Sequence, residues 1–566
     1  MVNRSIPDRL MGVVARAHAR RVLARFLGAA QRATAVQQRL LLDKIGPNAA
    51  SDFGREHRFD SICTYEDFTR RVPITTYDQL APYVEQVKAG DLRAMFGPRQ
   101  RVLMFAMTSG TSDQPKYVPV TDRFLAECRC GWNAFGVKAL MDHRDAFLRP
   151  IVQVTSRMDE ETAPSGVPCG AITGLLAATQ KRVVRRYYVT PPCVAYIGDS
   201  QARYYTVMRL AMAGDVGFVI TASPATQLRL ARTGDAHAER IIRDVGDGTL
   251  SRDFDIPQNV RDQLAPRLRP DPTRAAELQR IADRTGRLLP KDVWKLGFLA
   301  NWTGGTMGLY LRDFPEYFGD TPVRDIGLLA SEGRMSIPVE DATPAGILAV
   351  DSNFFEFIPV GERESADPTV LRSHEVEIGQ EYFILLTTSA GFYRYDIGDQ
   401  IRVVDFYGQA PVIEFLHKGR HVSSLAGEKL TERQVVRAFE HARLALGFGA
   451  ATFILAPQWA TTPFYRLHVE EGTVAGADQA DRLTAEMERQ LRSVNVEYTC
   501  KRDSGRLGPL QVNVLPAGFL ARREAGLAAR RGGRQEQYKH CYLCPTPGED
   551  ADFPVSPPYP VRQPAL

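Results

Sequence analysis

Residues 108–119 read T-S-G-T-S-D-Q-P-K-Y-V-P. They follow an apolar run, Val102–Met107 (V-L-M-F-A-M), which reads as a buried strand ending at a loop. The loop brings together hydroxyls, one glycine and one lysine. A nucleotide phosphate needs that combination: backbone N–H groups that can turn toward it, hydroxyl donors and an ammonium. The spacing is not that of the common P-loop, in which Gly-Lys is followed by Ser or Thr. Here Gly110 is the only glycine of the loop, and Lys116 precedes Tyr117. The competing reading is a polar surface loop. Thr121 is expected to start a helix, so that the loop and a helix N-terminus would share one anion.

Outward from this loop, the pattern alternates. Residues 1–45 read as helical, Thr64–Arg71 as a helix with Thr64 and Glu66 in its first turn, Thr76–Lys88 as a further helix, and 130–143 as a helix with small and aromatic residues on one side. Ile151–Thr155, Arg182–Val189 and Val216–Thr221 read as strands, and Asp199–Ala213 as a capped helix. Residues 233–290 are polar and helical, an insertion or cap. Strand patterns resume at Leu296–Ala300, Asp325–Pro338, Phe354–Pro359, Glu381–Thr387 and Gln400–Asp405. The expectation is an α/β fold with a mainly parallel sheet. After Lys418 the pattern shifts to a smaller α+β block. The expected division is a large domain over 1–417, a hinge over 418–430 and a small domain over 431–566.

Composition excludes several classes. A chain of 566 residues exceeds one ordinary domain, and its 44% hydrophobic and 24% charged residues are those of a globular protein. A net charge of +5, with no basic stripe interleaved with aromatics, does not point to nucleic acid. No apolar run reaches bilayer length. Met11–Arg25 is basic and amphipathic, and reads as a docked helix or a lipid contact. Cys63, Cys128, Cys130, Cys169, Cys193, Cys500, Cys541 and Cys544 show no repeating spacing, so a reducing cytoplasm is expected. Cys541 and Cys544 make a single C-x-x-C, half a zinc site at best.

Three further residues complete a chemistry with the loop. Adenylation of an acid by ATP needs phosphate donors, a carboxylate for magnesium, a carboxylate for the ribose hydroxyls and a cation against developing charge. Glu332, in A-S-E-G, can serve magnesium, a hard ion that prefers oxygen; otherwise it is a solvated turn residue. Asp399, closing G-F-Y-R-Y-D-I-G-D, can accept both ribose hydroxyls; otherwise Gly-Asp marks a hairpin turn. Lys539, in Q-Y-K, is the cation, or a tail lysine.

The order T-S-G-T-S-x-x-P-K, A-S-E-G, Y-R-Y-x-x-G-D resembles the adenylate-forming superfamily of acyl-CoA synthetases and luciferases. Within it the chain more closely resembles the Gretchen Hagen three family, the auxin-responsive acyl acid amido synthetases and their bacterial relatives. F-G-R-E-H-R-F (53–59), V-P-I-T-T-Y (72–77), K-Y-V-P-V-T (116–121), F-F-E-F-I-P (354–359), G-E-K-L-T-E (427–432) and Q-Y-K (537–539) extend the likeness from about residue 35 to 545.

The resemblance implies ATP between a large and a small domain. A carboxylate attacks the α-phosphate, pyrophosphate leaves, and an amine, usually an amino acid, takes the acyl group after the small domain swings. It implies that Thr108, Ser109, Gly110, Thr111 and Ser112 form the phosphate loop and that Lys116 anchors it. Ser331 and Glu332 would serve the α-phosphate and magnesium, Phe354 and Phe355 the adenine, and Asp399 the ribose. Lys418 would be the hinge cation and Lys539 the C-terminal lysine of adenylation. Asp113 stands where bacterial members usually carry glycine, Lys418 replaces an arginine, and Q-Y-K runs into H-C-Y-L-C. Trp132, Phe135, Val137, Tyr204, Tyr205 and Met208, with Gly166–Gly174, are expected to wall an acyl pocket or equally to pack an ordinary core, with Arg123 or Arg203 meeting the carboxylate. Two alternatives stay open: a thiol or hydroxyl acceptor, as in coenzyme A ligases, and a member that binds nucleotide without turnover.

Overall fold

A computed structural model describes residues 20–554 apart from 109–115, 364, 420–421, 424, 427, 429, 461, 504–506 and 531–539, and gives Lys418 by its backbone alone. The chain divides into two compact units, Met1–Phe415 and Leu416–Leu566.

In the first unit, several helices begin where the sequence supplies a side-chain oxygen. A helix over 20–30 precedes α1 (Ala33–Ile45). The Thr64 hydroxyl accepts the Asp67 N–H at 3.1 Å, and Asp67 Oδ2 accepts the Thr64 N–H at 3.1 Å. This reciprocal cap satisfies two donors that helix geometry orphans. Thr76 and Gln79 open α2 (Tyr77–Ala89) in the same way, and Gly90 closes it at φ +109.

β1 (Val102–Thr108) and β2 (Lys116–Thr121) form an antiparallel hairpin, with Met107 opposite Tyr117 and Thr108 opposite Lys116. Thr121 caps α3 (Asp122–Asp142), accepting the Phe124 N–H at 3.0 Å and donating to the Ser389 carbonyl at 2.9 Å. Thr121 pairs with Val102, at the far end of the hairpin from residues 109–115. At about 3.4 Å per residue, β2 therefore separates the α3 N-terminus from Lys116 by roughly 17 Å. The expectation that loop and helix end share one anion is corrected: a strand intervenes, and a run such as K-Y-V-P-V-T does not announce its pairing partner.

α4 (Ser200–Met212) starts at Asp199, whose Oδ1 accepts the Ala202 N–H at 2.6 Å. From Ala202 to Met212 every residue is buried. The polar stretch 233–290 supplies the cover, as helices Ala238–Asp247, Gln258–Leu264 and Pro272–Thr285. Beneath lies a parallel sheet ordered Ile151–Gln153, Phe218–Ile220, Phe298–Asn301, Val323–Asp325.

The parallel arrangement stops there. β3 (Leu329–Ala330) and β4 (Gly333–Arg334) form a small hairpin. The largest sheet contains β5 (Phe354–Pro359), β6 (Glu381–Thr387) and β7 (Tyr395–Tyr407). Its seven strands run in the order Ser336–Ile337, Gly346–Leu348, Ala410–Lys418, β7, β6, β5, Leu371–Arg372, and β5–β6 and β6–β7 are antiparallel. The expectation of a mainly parallel sheet thus holds for one sheet of the unit only. F-F-E-F-I-P and E-Y-F-I-L-L-T are buried on both faces, and such runs read alike in either direction. Arg182–Val189 is also corrected. Arg182–Arg185 is a helical turn with Val183 57% exposed, and only Tyr188 bridges to Ile151. Arginines flank two valines that no sheet covers.

The second unit holds a three-stranded sheet, Phe453–Gln458, Phe464–Glu470 and Gln511–Leu515, with helices Glu432–Leu446 and Ala477–Val494. Residues 540–544 lie along Phe453–Gln458: the Leu455 N–H donates to the Tyr542 carbonyl at 2.8 Å, and the Cys544 N–H to the Leu455 carbonyl at 2.9 Å.

Candidate active site

Glu332 lies in the two-residue turn Ser331–Glu332, closed by the pairing of Ala330 with Gly333. The turn is fixed from behind. Arg334 Nη1 and Nη2 each donate to the Ile326 carbonyl at 3.1 Å, and the guanidinium lies 4.5 Å from the centre of the Trp132 ring. Gly131 on α3 makes the room, since a Cβ there would meet Arg334 Cδ at 2.4 Å. Glu332 itself is only 6% exposed. It is a buried carboxylate, not a solvated turn residue.

Asp399, also 6% exposed, does not close a hairpin turn. It lies inside β7, where Asp396 pairs with Leu385 and Gln400 with Phe383. Ile384 alone thus faces three residues, 397–399, of β7. Such a bulge bends the strand and re-aims a side chain. Gly398 takes φ +77, which glycine adopts at little cost. Asp396 Oδ1 accepts the Gly398 N–H at 2.7 Å, and its Oδ2 accepts Arg363 Nη2 at 3.0 Å.

Tyr395 joins these two carboxylates. Its phenol is held far above the usual tyrosine range, first by burial and then by the negative charges of Glu332, Asp396 and Asp399. Tyr77 completes the group. Burial pushes its phenol up to about 12, and Glu332 is among the charges that add to the shift. Lys116 Nζ lies 5.1 Å from the centre of the Tyr77 ring. Lys116, at the hairpin end opposite Thr108, therefore shares one neighbourhood with Glu332, Asp399, Tyr77 and Tyr395. A cation beside two buried carboxylates and two neutral phenols can hold a polyphosphate and its counter-ion while keeping proton transfer off the phenols.

One segment links the parts. The Thr75 N–H donates to the Arg394 carbonyl at 3.0 Å, the Asp396 N–H donates to the Thr75 carbonyl at 2.9 Å, and the Thr75 hydroxyl donates to the Tyr393 carbonyl at 2.7 Å. Thr75, Tyr77 and Tyr395 were not singled out as site residues from the sequence. The signal was the stretch V-P-I-T-T-Y, which has chemistry only once its partners are known.

Phe354 and Phe355 lie in the same sheet as Tyr395, Phe355 opposite Leu386 and Leu386 opposite Tyr395. Phe354 is 3% and Phe355 0% exposed, both in the first core; the Phe354 ring packs 6.0 Å from Tyr65 and 6.2 Å from Phe68. The expected acyl wall is divided. Trp132 and Phe135 belong to the first core, whereas Tyr204, Tyr205 and Met208 belong to a second. Tyr205 donates to Asp244 at 2.7 Å and stacks on Phe254. Helical periodicity marks such residues as inward without saying into which core. Arg123 is engaged by Glu127 at 3.1 Å and the Asp43 carbonyl at 2.6 Å. Arg203 is buried beside Tyr204. Ser109, Gly110, Thr111, Ser112, Asp113 and Lys539 lie outside the described residues, as does the Lys418 side chain.

Among the described residues, no group of three or more His, Cys, Asp and Glu could hold a metal by itself. No described helix is long and apolar enough to cross a membrane.

Comparison with known proteins covers nearly the whole chain. The GH3 family N-terminal domain matches residues 22–323, the GH3 family central domain 346–418 and the GH3 family C-terminal domain 433–547. Indole-3-acetic acid-amido synthetase GH3.8 of Oryza sativa subsp. indica is 26% identical over 553 residues, 89% of this chain and 87% of that protein. Jasmonoyl–L-amino acid synthetase JAR4 of Nicotiana attenuata is 25% identical over 426 residues, 72% of each. Among solved structures, AtGH3.15 acyl acid amido synthetase in complex with 2,4-DB superposes with a TM-score of 0.81 at 18% identity, covering 98% of both chains.

Proposed function

Because this chain belongs to the GH3 family, we propose that it activates a carboxylic acid with ATP as an acyl adenylate and transfers the acyl group to an amine, an amino acid in the first instance. The observation that carries the reading is the grouping of Lys116, Glu332 and Asp399 about Tyr77 and Tyr395. The curated relatives, one named an acid-amido synthetase and the other a jasmonoyl–L-amino acid synthetase, support the reaction class.

In the first step a carboxylate oxygen of the acid forms a bond to the α-phosphorus, and the bond from that phosphorus to the bridging oxygen of pyrophosphate breaks. Charge builds on phosphoryl oxygens, so fixed cations lower the barrier most. Residues 108–112 and Lys116 take the phosphates, and Asp399, aimed by its bulge, takes the ribose hydroxyls. Magnesium fits as an ion carried in with the nucleotide: it keeps several waters and needs only one or two carboxylates beside phosphate oxygens. Glu332, buried and next to the Ser331 hydroxyl, would hold it, and the ion would supply charge neutralisation on the phosphates. In the second step an amine attacks the acyl carbon and AMP leaves, a reaction governed by positioning. Residues 418–430 serve as the hinge of the smaller unit, which brings Lys539 to the first step and gives way for the second. Cys63, Cys128, Cys130, Cys169, Cys193, Cys541 and Cys544 are free thiols, which suits a reducing cytoplasm.

The test is competition between acceptors. Protein, ATP, magnesium and an adenylated acid are offered mixed amino acids, coenzyme A and glycerol together, and products are read by mass. An acyl amino acid as the main product is expected. A thioester or ester in its place would reassign the acceptor. Tight ATP binding with no acyl product would leave a nucleotide-binding protein without turnover.

A further inference from the structure

We propose that Tyr77 is the positioning residue that sets Lys116 against Glu332 and Asp399. The inference rests on the adenylation chemistry proposed above and adds to it a residue that acts through the backbone after Lys116.

Three consecutive residues do three different jobs. Thr75 is pinned to the start of β7 by three hydrogen bonds, to Tyr393, Arg394 and Asp396. Thr76 caps α2 through Gln79. Tyr77 is the first residue of that helix, so the cap fixes where its side chain departs. Its Oη accepts the Tyr117 N–H at 2.7 Å and faces the Tyr117 carbonyl at 3.3 Å. A single phenol thus pins the backbone of the residue after Lys116, and the Lys116 ammonium lies over the same ring. Tyr117 is held from its other side, where its hydroxyl donates to Glu161 at 2.9 Å and Lys88 Nζ lies 3.5 Å from its ring centre. The first strand residue of β2 therefore has little freedom to shift.

The geometry also ties the hairpin to the bulge. Asp396 accepts the Gly398 N–H that shapes the bulge, and its own N–H donates to Thr75. The chain from Asp399 to Lys116 runs through Asp396, Thr75 and Tyr77 without leaving hydrogen-bonded backbone or side chain. A misplacement of about 1 Å at a reacting group can cost roughly 100-fold in rate, and Tyr77 is the one link in this path that reaches the hairpin through a side chain.

Tyr77→Phe keeps the ring and its cation contact and removes only the hydroxyl. It is compared with Lys116→Met and with the double variant in acid-dependent pyrophosphate release. The expected result for Tyr77→Phe is a fall in kcat of roughly 10- to 100-fold with an unchanged KM for the acid. In the double variant the expected rate is that of Lys116→Met alone, because residues acting through one another are not additive. Independent, multiplicative losses would overturn the proposal. Deuterium exchange of the Tyr117 amide gives a reading that does not need turnover. It should rise at least about 10-fold in Tyr77→Phe with the remainder of α2 unchanged, and exchange equal to that of the parent protein would overturn the pin. A parent protein that released no pyrophosphate would remove the functional reading, and the exchange result would still decide whether Tyr77 holds the hairpin.

Discussion

Replacing Glu332 with Gln should lower acid-dependent pyrophosphate release by about 1000-fold, at an unchanged melting temperature. The size follows from the chemistry. The carboxylate is 6% exposed, and its charge already acts on the Tyr77 and Tyr395 phenols. In a site that excludes water a fixed charge acts far more strongly than in solution, and losing one group aimed at the reacting phosphate costs roughly 100- to 1000-fold. Removal of a magnesium ligand adds to that loss. Gln keeps the shape and a hydrogen-bonding oxygen, so the turn between Ala330 and Gly333 should survive. Asp399→Asn should carry a different signature, a rise in the KM for ATP of roughly 10-fold or more with a smaller effect on kcat, because ribose contacts are made equally in ground and transition states. Steady-state kinetics in ATP separates the two. Parent-like rates in both variants would show that the two carboxylates serve packing.

The largest expected effect on stability is at Lys44. Its side chain is fully enclosed, and its Nζ meets Glu127 Oε2 at 2.5 Å and Ser389 Oγ at 2.8 Å. Glu127 is held in turn by Arg123 at 3.1 Å and by Ser389 at 2.9 Å. The cluster ties α1 to α3 and to the loop after β6. Breaking the pair leaves Glu127 with Arg123 and Ser389 but takes away its shortest partner, at a cost of about 3 kcal/mol. Lys44→Met is thus expected to lower the unfolding free energy by about 3 kcal/mol at neutral pH, with Lys44→Met/Glu127→Gln recovering part of the loss. The parent protein should also show a dependence on pH. Burial lowers the Lys44 amine to about 8 from its ordinary 10.5, against the opposing pull of Glu127. Between those values the unfolded chain binds the proton more strongly, so stability from this group rises with pH from about 8 to 10.5 and is lost as pH falls through 8. Urea titrations at pH 7.5 and 9.5 would read it. A midpoint that moves with pH in Lys44→Met as it does in the parent protein would contradict the assignment.

Local signals were legible in the sequence. Thr64, Thr121 and Asp199 cap helices where a side-chain oxygen precedes an apolar-periodic run. Phe354–Pro359 and Glu381–Thr387 are strands at the expected residues. Long-range pairing was not legible. Lys116–Thr121 is the return strand of a hairpin, which a polar-to-apolar run does not declare. Gly398-Asp399 carries the residue types of a turn, yet three residues opposite Ile384 make it a bulge in a continuous strand. The same limit hid Tyr77, whose partners are 40 residues away at Tyr117 and, through Thr75, more than 300 away at Tyr393. Glu332 and Asp399 were legible as candidates from their surrounding residue types; that both surround Tyr395 required the fold.

The most direct measurement is pyrophosphate release by the purified protein with ATP, magnesium and a panel of aryl, indolic and fatty carboxylic acids, each with and without mixed amino acids. The expected result is release with one class of acid, rising when amino acids are added. No release with any acid, with ATP still bound, would contradict the assignment of this chain as an acid-activating ligase.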